Sequence, residues 1–218
     1  MRIGLYGGSF DPIHRGHVEP VRAAATALEL DRVLYLPTAQ PPHKRGRRLA
    51  PAWRRFAMVE LALLDEPDFE VDPFEMTADV AYTIETVEHF ERQFPEGEFF
   101  LIVGADSFIA LETWHRGAEL AARVQLAVLV RRGSTLDVRS LAEPQRLALG
   151  RGRVHRIEPA PHPASSTEIR RRLAVGEPPP EGWLEPAVLN YVQKYGLYAT
   201  SETDEDAGRG PSQGSSPQ

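Results

Sequence analysis

Apolar runs alternate along the chain with amphipathic stretches, and this alternation is typical of an α/β fold with a mostly parallel sheet. The first run, at residues 2–6, predicts a short buried strand that leads through Gly7-Gly8-Ser9 into a helix rich in Ala and Leu. Similar runs predict further strands at residues 32–36, 69–71, 98–103, 125–130 and 153–157. Helices are expected up to about residue 30, at 83–94 and 136–149, in short pieces between 106 and 120, from Ser165 or Ser166 to Leu173, and from Pro186 onward.

Another helix is expected to begin near Pro51, because proline is favoured in the first turn of a helix. Six residues of this segment recur at helical spacing and predict a stripe that covers the sheet: Trp53, Phe56, Ala57, Glu60, Leu61 and Leu64. The segment before it, residues 38–48, is a basic loop rich in proline. Proline stiffens this loop, which presents His43 and Lys44.

Composition narrows the class of protein. The chain has 218 residues, of which 42% are hydrophobic, so we expect one domain at residues 1–199 and a disordered acidic and polar tail at 200–218. No apolar run approaches the roughly 18 residues that span a bilayer, and no signal-peptide pattern follows Met1, so a cytoplasmic protein without a membrane partner is expected. The absence of cysteine excludes disulfides and thiolate chemistry. A net charge of −6 argues against a general nucleic-acid-binding protein.

The densest chemical signal lies where the first strand ends and the first helix begins, in the segment Gly7-Gly8-Ser9-Phe10-Asp11-Pro12-Ile13-His14-Arg15-Gly16-His17. Ligands of open α/β sheets bind at this edge. Free backbone N–H groups and the positive end of the helix dipole attract phosphate there, and glycines let the ligand approach the chain closely. The Walker A pattern and the G-x-G-x-x-G fingerprint are both absent, so kinases and dehydrogenases are less favoured. A polyphosphate ligand is therefore predicted at this loop.

His14 and His17 are spaced so that their side chains lie near one face of the first helical turn, with Gly16 leaving room beside them. Two imidazoles can donate hydrogen bonds to the charge that develops during phosphoryl or nucleotidyl transfer. An isolated pair of this kind is more often on the surface or in a core, but the glycine-rich setting favours the phosphate-binding interpretation. A metal site needs a third ligand, and the neighbouring sequence offers none, so no metal ligands are predicted.

The H-x-G-H core of this segment resembles the signature of the nucleotidylyltransferase superfamily, which shares it with class I aminoacyl-tRNA synthetases. The chain is too short for a synthetase and lacks the second, Lys-rich signature of that class. Three further segments match in order: Leu36-Pro37-Thr38-Ala39-Gln40-Pro41-Pro42-His43-Lys44, Gly104-Ala105-Asp106-Ser107-Phe108 and Ser165-Ser166-Thr167-Glu168-Ile169-Arg170. Together with Trp114 they resemble bacterial nicotinate-nucleotide adenylyltransferases. The resemblance implies a Rossmann-like, doubly wound sheet with helices on both faces and a small C-terminal helical extension.

The resemblance also implies roles for individual residues. The catalytic residues would be His14, His17 and Lys44. ATP would bind at Gly7, Gly8, Ser9, Phe10, His14, Gly16, His17, Gly104, Asp106, Ser166, Thr167 and Arg170. Nicotinate mononucleotide would bind at Lys44, Thr83, Trp114, His115 and Arg131. Where the family often shows Arg-Pro-Gly after the fifth strand, this chain reads Arg131-Arg132-Gly133, so the loop that carries Arg131 differs.

Several of these residues allow other interpretations when each is considered alone. Lys44 fits a solvated basic loop as well as a phosphate contact. Asp106 could accept from a ribose hydroxyl or cap the next helix, and Trp114 could stack on a pyridine ring or pack in the core. The segment from Ser165 to Arg170 fits an anion-binding helix start or an ordinary capped helix.

The reaction that the resemblance implies joins nicotinate mononucleotide to the AMP part of ATP and releases pyrophosphate, giving deamido-NAD as a step in NAD biosynthesis. Mg²⁺ is the expected cofactor, carried mainly by the ATP phosphates. Rival interpretations are a sister transferase acting on phosphopantetheine or nicotinamide mononucleotide, a non-catalytic nucleotide sensor, and a metal-dependent hydrolase that uses Asp11 with the two histidines. The sequence leaves the oligomeric state open, and a homo-oligomer is among the options.

Overall fold

The computed structural model describes residues 1–39, 49–77, 82–131, 133 and 141–199. The strands of this part of the chain form a single sheet and are β1 Arg2–Gly8, β2 Arg32–Pro37, β3 Phe69–Val71, β4 Glu98–Gly104, β5 Gln125–Leu129 and β6 Val154–Ile157. Each strand coincides with an apolar run of the sequence, apart from a residue or two at its ends. The predicted strands are therefore confirmed.

The sheet has the order β3-β2-β1-β4-β5-β6, and all its neighbouring strands pair in parallel. At the centre, Leu5 of β1 lies opposite Leu34 on one side and Leu101 on the other. Chain connections run outward in opposite directions from β1 and β4, so a crevice opens between the carboxyl ends of these two strands. This arrangement confirms the predicted doubly wound fold.

Helices cover both faces of the sheet and build a separate core on each. Those in the described part of the chain are α1 Arg15–Ala27, α2 Ala52–Ala62, α3 Thr83–Gln93, α4 Ala105–Ile109, α5 Gly117–Arg123, α6 Glu143–Gly150, α7 Ser166–Ala174 and α8 Pro186–Lys194. One core contains buried residues of α3, α4, α5 and α6, and the other contains those of α1, α2, α7 and α8. The C-terminal helices α7 and α8 thus pack on the same face as α1, which brings them close to the first loop.

The stripe predicted on α2 is wrong. Trp53 and Leu64 are 63% and 70% exposed, whereas the buried residues of the helix are Arg55, Met58, Val59 and Ala62. The buried face is rotated because the helix buries a charged residue, which a pattern of apolar positions cannot anticipate.

The helix predicted at residues 136–149 begins later than expected. Its first residue is Glu143, and Ala142 before it has the extended backbone of an N-cap. Pro144 lies in the first turn, where its missing N–H costs nothing. The predicted residues 136–140, like the predicted tail at 200–218, lie outside the described residues.

Candidate active site

The crevice between β1 and β4 widens into a cleft of about 580 Å³, within the size range of small-molecule sites. Its floor is formed by the ends of β1 and β4, and its walls by segments that follow β2, β3 and β4. The structure brings together here seven residues that the sequence analysis singled out: Gly7, Gly8, Ser9, Thr83, Gly104, Trp114 and His115. The cleft therefore contains residues of both the predicted ATP site and the predicted mononucleotide site.

The glycines at the floor of the cleft differ in how much space surrounds them. A Cβ on Gly8 would lie 2.9 Å from the ring of Phe10, so packing alone requires a glycine there. A Cβ on Gly7 would meet Glu75 at 3.9 Å, an ordinary contact, and one on Gly104 would meet nothing within 4 Å. Gly7 and Gly104 thus present bare backbone to the cleft, which suits close approach of a ligand.

One wall of the cleft is aromatic. Trp114 follows a short 3-10 helix, Ala110–Thr113, and its half-buried side chain packs against the first core while it lines the cleft. Tyr82 precedes α3, and its ring lies 4.3 Å from the ring of His115, centroid to centroid. Trp114 therefore combines the two roles that its sequence left open, core packing and a flat surface on which a ring can stack.

The cleft is also lined by a buried acid, Glu75, that the sequence analysis did not identify. Glu75 is 4% exposed, lies in the 3-10 helix Phe74–Met76 after β3, and accepts a hydrogen bond from the hydroxyl of Thr86 at 2.9 Å. Burial raises the pKa of Glu75 to about 7, and the Thr86 hydrogen bond opposes this in part. Its place on a short helix after a three-residue strand left no periodic pattern that could have revealed it.

The two motif histidines lie at the start of α1. His14 is the N-cap residue, and its ring centroid is 3.8 Å from that of His17 in the first turn. The backbone N–H of His14 donates to Nδ1 of His17 at 3.3 Å. Because Nδ1 of His17 accepts this bond, the proton of its neutral ring resides on Nε2, where it can be donated.

His14 is nearly buried, with an exposed fraction of 7%. Burial, together with the nearby His162, lowers the pKa of His14 to about 4, so its imidazole is neutral at pH 7. Nδ1 of His14 has no hydrogen-bond partner among the described residues, a rare state for a buried polar atom. A Cβ on Gly16 would lie 3.0 Å from the His14 ring and 3.2 Å from the carbonyl of Ala164, so the room predicted beside Gly16 is filled by these groups.

The start of α7 contacts the loop after β1. The hydroxyl of Ser166 donates to the carbonyl of Pro12 at 2.9 Å. The guanidinium of Arg170 donates to the carbonyl of Asp11, lies 3.5 Å from its carboxylate, and reaches the hydroxyl of Thr167 at 3.2 Å. The first and last motifs of the sequence are thus neighbours, although some 150 residues separate Pro12 from Ser166.

Asp11 anchors a distant part of the chain to this loop. Its carboxylate is 2% exposed, and Oδ1 accepts from the backbone N–H of Ala50 at 3.1 Å and from the hydroxyl of Tyr198 at 2.8 Å. Burial is the main reason that the pKa of the Tyr198 phenol is raised, followed by its contact with Asp11. Neither partner of Asp11 was anticipated, because nothing in the sequence links residues so far apart.

Nine predicted site residues within the described part of the chain do not line the cleft. Six of these lie at or near the starts of α1 and α7, namely His14, Gly16, His17, Ser166, Thr167 and Arg170. The other three are Phe10, Asp106 and Arg131. Phe10 is buried at 1% exposure, with φ at 45°, a backbone conformation that a non-glycine residue adopts only at some energetic cost. Asp106 is exposed inside α4, where Gly104 holds the N-cap position, so the helix-cap interpretation of Asp106 is wrong. Arg131 is exposed after β5. Lys44 lies outside the described residues.

The described residues contain neither a cluster of metal-ligating side chains nor a helix that could span a membrane. No group of three or more His, Cys, Asp or Glu side chains is placed to hold a metal ion. Among the same residues, no helix has the length and apolar character needed to cross a membrane.

Residues 5–172 match the pattern that defines the cytidylyltransferase-like family. The chain therefore belongs to this family. A protein of Solibacter usitatus, named as a probable nicotinate-nucleotide adenylyltransferase, is 40% identical over 199 residues, which cover 91% of this chain and 100% of that relative. A protein of the same name from Neisseria meningitidis serogroup B is 40% identical over 200 residues, or 90% of this chain and 98% of the relative. Within the family, the chain is a member of the nicotinate-nucleotide adenylyltransferases.

Solved structures agree on the fold. The nicotinic acid mononucleotide adenylyltransferase of Plasmodium falciparum, complexed with APC, superposes with a TM-score of 0.72 at 18% identity, over 90% of this chain and 96% of that one. The same enzyme complexed with NaAD gives a TM-score of 0.71 over 90% of this chain and 97% of that one. At this level of identity the likeness supports the fold rather than any single residue.

Proposed function

We propose that this chain transfers the adenylyl group of ATP to nicotinate mononucleotide, giving deamido-NAD and pyrophosphate. The observation that carries the proposal is the position of the cleft: an aromatic wall at Trp114 shares it with the glycine-rich phosphate loop at the end of β1. Such a cleft can hold a flat pyridine ring and a polyphosphate side by side. The curated relatives carry the name of this activity.

In this reaction a phosphate oxygen of nicotinate mononucleotide attacks the α-phosphorus of ATP. A new oxygen–phosphorus bond forms, the bond from the α-phosphorus to the oxygen that bridges it to the β-phosphorus breaks, and pyrophosphate leaves with that electron pair. A phosphate nucleophile is already ionised at neutral pH, so no general base is needed. Catalysis rests on positioning the two substrates and on neutralising charge.

The two histidines supply hydrogen-bond donors to this charge. Nε2–H of His17 and the ring of His14 are the groups assigned to the ATP phosphates. Because the pKa of His14 is lowered to about 4, its ring is neutral at pH 7, and the one nitrogen that carries a proton can donate a hydrogen bond.

Other ATP contacts are assigned to the start of α7 and to the basic loop. Ser166, Thr167 and Arg170 face the loop after β1, and Lys44 is assigned to a phosphate shared by both substrates. Mg²⁺, carried mainly by the ATP phosphates, would supply charge neutralisation there. The carboxylate of Asp11 is engaged by Tyr198, Ala50 and Arg170, which suits a structural anchor better than a metal ligand.

The start of α3 favours nicotinate over nicotinamide. Thr83 is the first residue of this helix, and the first N–H groups of a helix have no intrahelical partner. They form the positive end of the helix dipole, which attracts a carboxylate and gives a neutral amide less stabilisation. A carboxylate on a ring stacked against Trp114 would therefore be the preferred substituent at this wall.

The decisive experiment mixes purified protein with Mg·ATP and either nicotinate mononucleotide or nicotinamide mononucleotide, and identifies the dinucleotide formed. We expect deamido-NAD and an equal amount of pyrophosphate, with slower turnover of nicotinamide mononucleotide. ATP binding without any dinucleotide would support the sensor instead, and ATP breakdown without an acceptor would support the hydrolase. Pyrophosphate release with phosphopantetheine alone would support the sister transferase.

The variant H17A tests the role of the histidine pair. Loss of one positioned donor is expected to reduce turnover at least about a hundredfold while the fold is retained. H155A is the matched control, since His155 is also partly buried but lies on β6 and bonds Gln125 at 3.0 Å. Near-normal turnover in H17A, with circular dichroism unchanged, would remove His17 from the mechanism.

Three expectations from the sequence stay predictions. They are a cytoplasmic location, the absence of a nucleic-acid partner, and self-association as a homo-oligomer. Size-exclusion chromatography with light scattering addresses the last of these, and the acidic net charge of −6 supports the second.

A further inference from the structure

Arg55 is a charged residue buried in the second core. It lies on α2, its exposed fraction is 1%, and its guanidinium points toward the loops at the carboxyl edge of the sheet. Every nitrogen of this group donates to a backbone carbonyl. The acceptors are the carbonyls of Ser9 at 2.6 Å, Thr38 at 2.8 Å, Ala39 at 2.8 Å and Ala50 at 3.0 Å.

These carbonyls belong to segments that meet the cleft. Ser9 follows β1 and Thr38 follows β2, and both residues line the cleft. Thr38 is also tied to the glycine loop, because its N–H donates to the carbonyl of Gly8 at 3.0 Å. The guanidinium therefore links the loop after β1 to the loop after β2 by hydrogen bonds to both.

Burial of a positively charged group costs free energy, so a cation is an unfavourable means of stabilising a core. Burial lowers the pKa of Arg55, and the nearby Asp11 opposes this by electrostatic attraction. Replacing a buried charge by an apolar residue of similar size is often neutral or stabilising for a fold. What an apolar residue cannot do is bind four carbonyls from three segments in a fixed geometry.

We propose that Arg55 is a positioning residue for adenylyl transfer, which fixes the positions of the adjacent Ser9 and Thr38 loops at the nucleotide-binding part of the cleft. The proposal rests on the proposed function. Transfer between two bound phosphates depends on placement, and a displacement of about 1 Å can reduce the rate about a hundredfold. Arg55 would thus act on the rate without touching either substrate.

The variants R55K and M58A test this. R55K keeps the charge but has a single nitrogen, which cannot reach the carbonyls of Ser9, Thr38 and Ala50 together. Met58 is on the same helix, is 0% exposed and lies in the same core, so M58A is a matched variant that lowers stability without removing a hydrogen bond to the cleft loops. Both are assayed for kcat, for KM of each substrate and for the midpoint of thermal unfolding, at a temperature where each is fully folded.

We expect R55K to show a kcat at least about tenfold below that of the parent at saturating ATP and nicotinate mononucleotide. M58A is expected to unfold at a lower temperature with its kcat unchanged. A parental kcat in R55K, or an equal loss of kcat in M58A, would overturn the proposal. If R55K does not fold, R55Q, which retains two donor hydrogens, takes its place under the same criterion.

Failure of this proposal and failure of the proposed function look different. If the parent protein forms no dinucleotide, the proposed function fails. If the parent is active and R55K is equally active, only the role of Arg55 fails.

Discussion

At the level of single residues, some groups of the site could be predicted from their sequence context and others could not. The glycines at the end of β1 and the pair His14 and His17 follow an apolar strand directly, so their place at the sheet edge could be predicted. Glu75 and Arg55 could not be predicted in the same way. Each is a charged residue whose burial depends on neighbours far away in sequence, Thr86 and Gly7 for the acid and three loops for the arginine.

The burial of Glu75 makes the stability of the protein depend on pH. In the unfolded chain a glutamate has a pKa near its ordinary value of 4.5, whereas burial raises the pKa of Glu75 to about 7 in the folded protein. Between these values the folded state holds a proton that the unfolded state has lost. Stability from this residue therefore falls as the pH rises through that window, and is constant above it.

The variant E75Q should remove this dependence, because its amide oxygen can still accept from Thr86 but does not ionise. Each pKa unit corresponds to about 1.4 kcal/mol, so E75Q should gain roughly 3 kcal/mol over the parent between pH 4.5 and pH 8. Urea unfolding of both proteins at the two pH values measures this. A difference in unfolding free energy that is the same at pH 4.5 and pH 8 would contradict it.

At the level of secondary-structure elements, the sequence located the strands well because buried parallel strands are short, continuous apolar runs bounded by turns. Their order in the sheet follows from pairing between distant segments, and only the resemblance to a family indicated it. The largest local error was the face of α2. Trp53 on this helix and Leu64 just after its end are exposed, and Arg55 takes a buried position.

The corrected face of α2 predicts unequal effects of truncating its side chains. M58A should lower the free energy of unfolding by about 2–5 kcal/mol, since Met58 is fully buried in the second core. W53A should change it by less than about 1 kcal/mol, because Trp53 is 63% exposed. Chemical denaturation measures both. A larger loss of unfolding free energy in W53A than in M58A would support the buried face that the sequence predicted, and contradict the one that the structure shows.

At the level of the whole molecule, the two ends of the described chain meet at the site. Asp11 follows the first strand, and the hydroxyl of Tyr198 donates to its carboxylate at 2.8 Å. Leu197 and Tyr198 also pack against the second core, after the last helix has ended at Lys194. Such contacts span the entire sequence, so no local pattern could have predicted them.

Truncation and substitution at this end should therefore have graded effects. Ending the chain after Ala199 should leave the thermal midpoint unchanged, because it retains Tyr198. Y198F should lower stability by about 1–3 kcal/mol, the range for losing a hydrogen bond to a charged group, and ending the chain after Gly196 should lower it further. Y195F, at a residue that is 43% exposed, is the control. Equal midpoints for Y198F and the parent would show that the Asp11 contact contributes nothing.

The contact between Tyr198 and Asp11 also has a consequence for biosynthesis. The phosphate loop is synthesised well before its anchor, because Tyr198 follows Asp11 by 187 residues along the chain. A nascent chain that stops early carries every glycine and histidine of the opening motif, but not the phenol that holds Asp11 in place. Chains that end before Tyr198 should thus hold the phosphate loop less firmly and bind nucleotide more weakly than the finished protein.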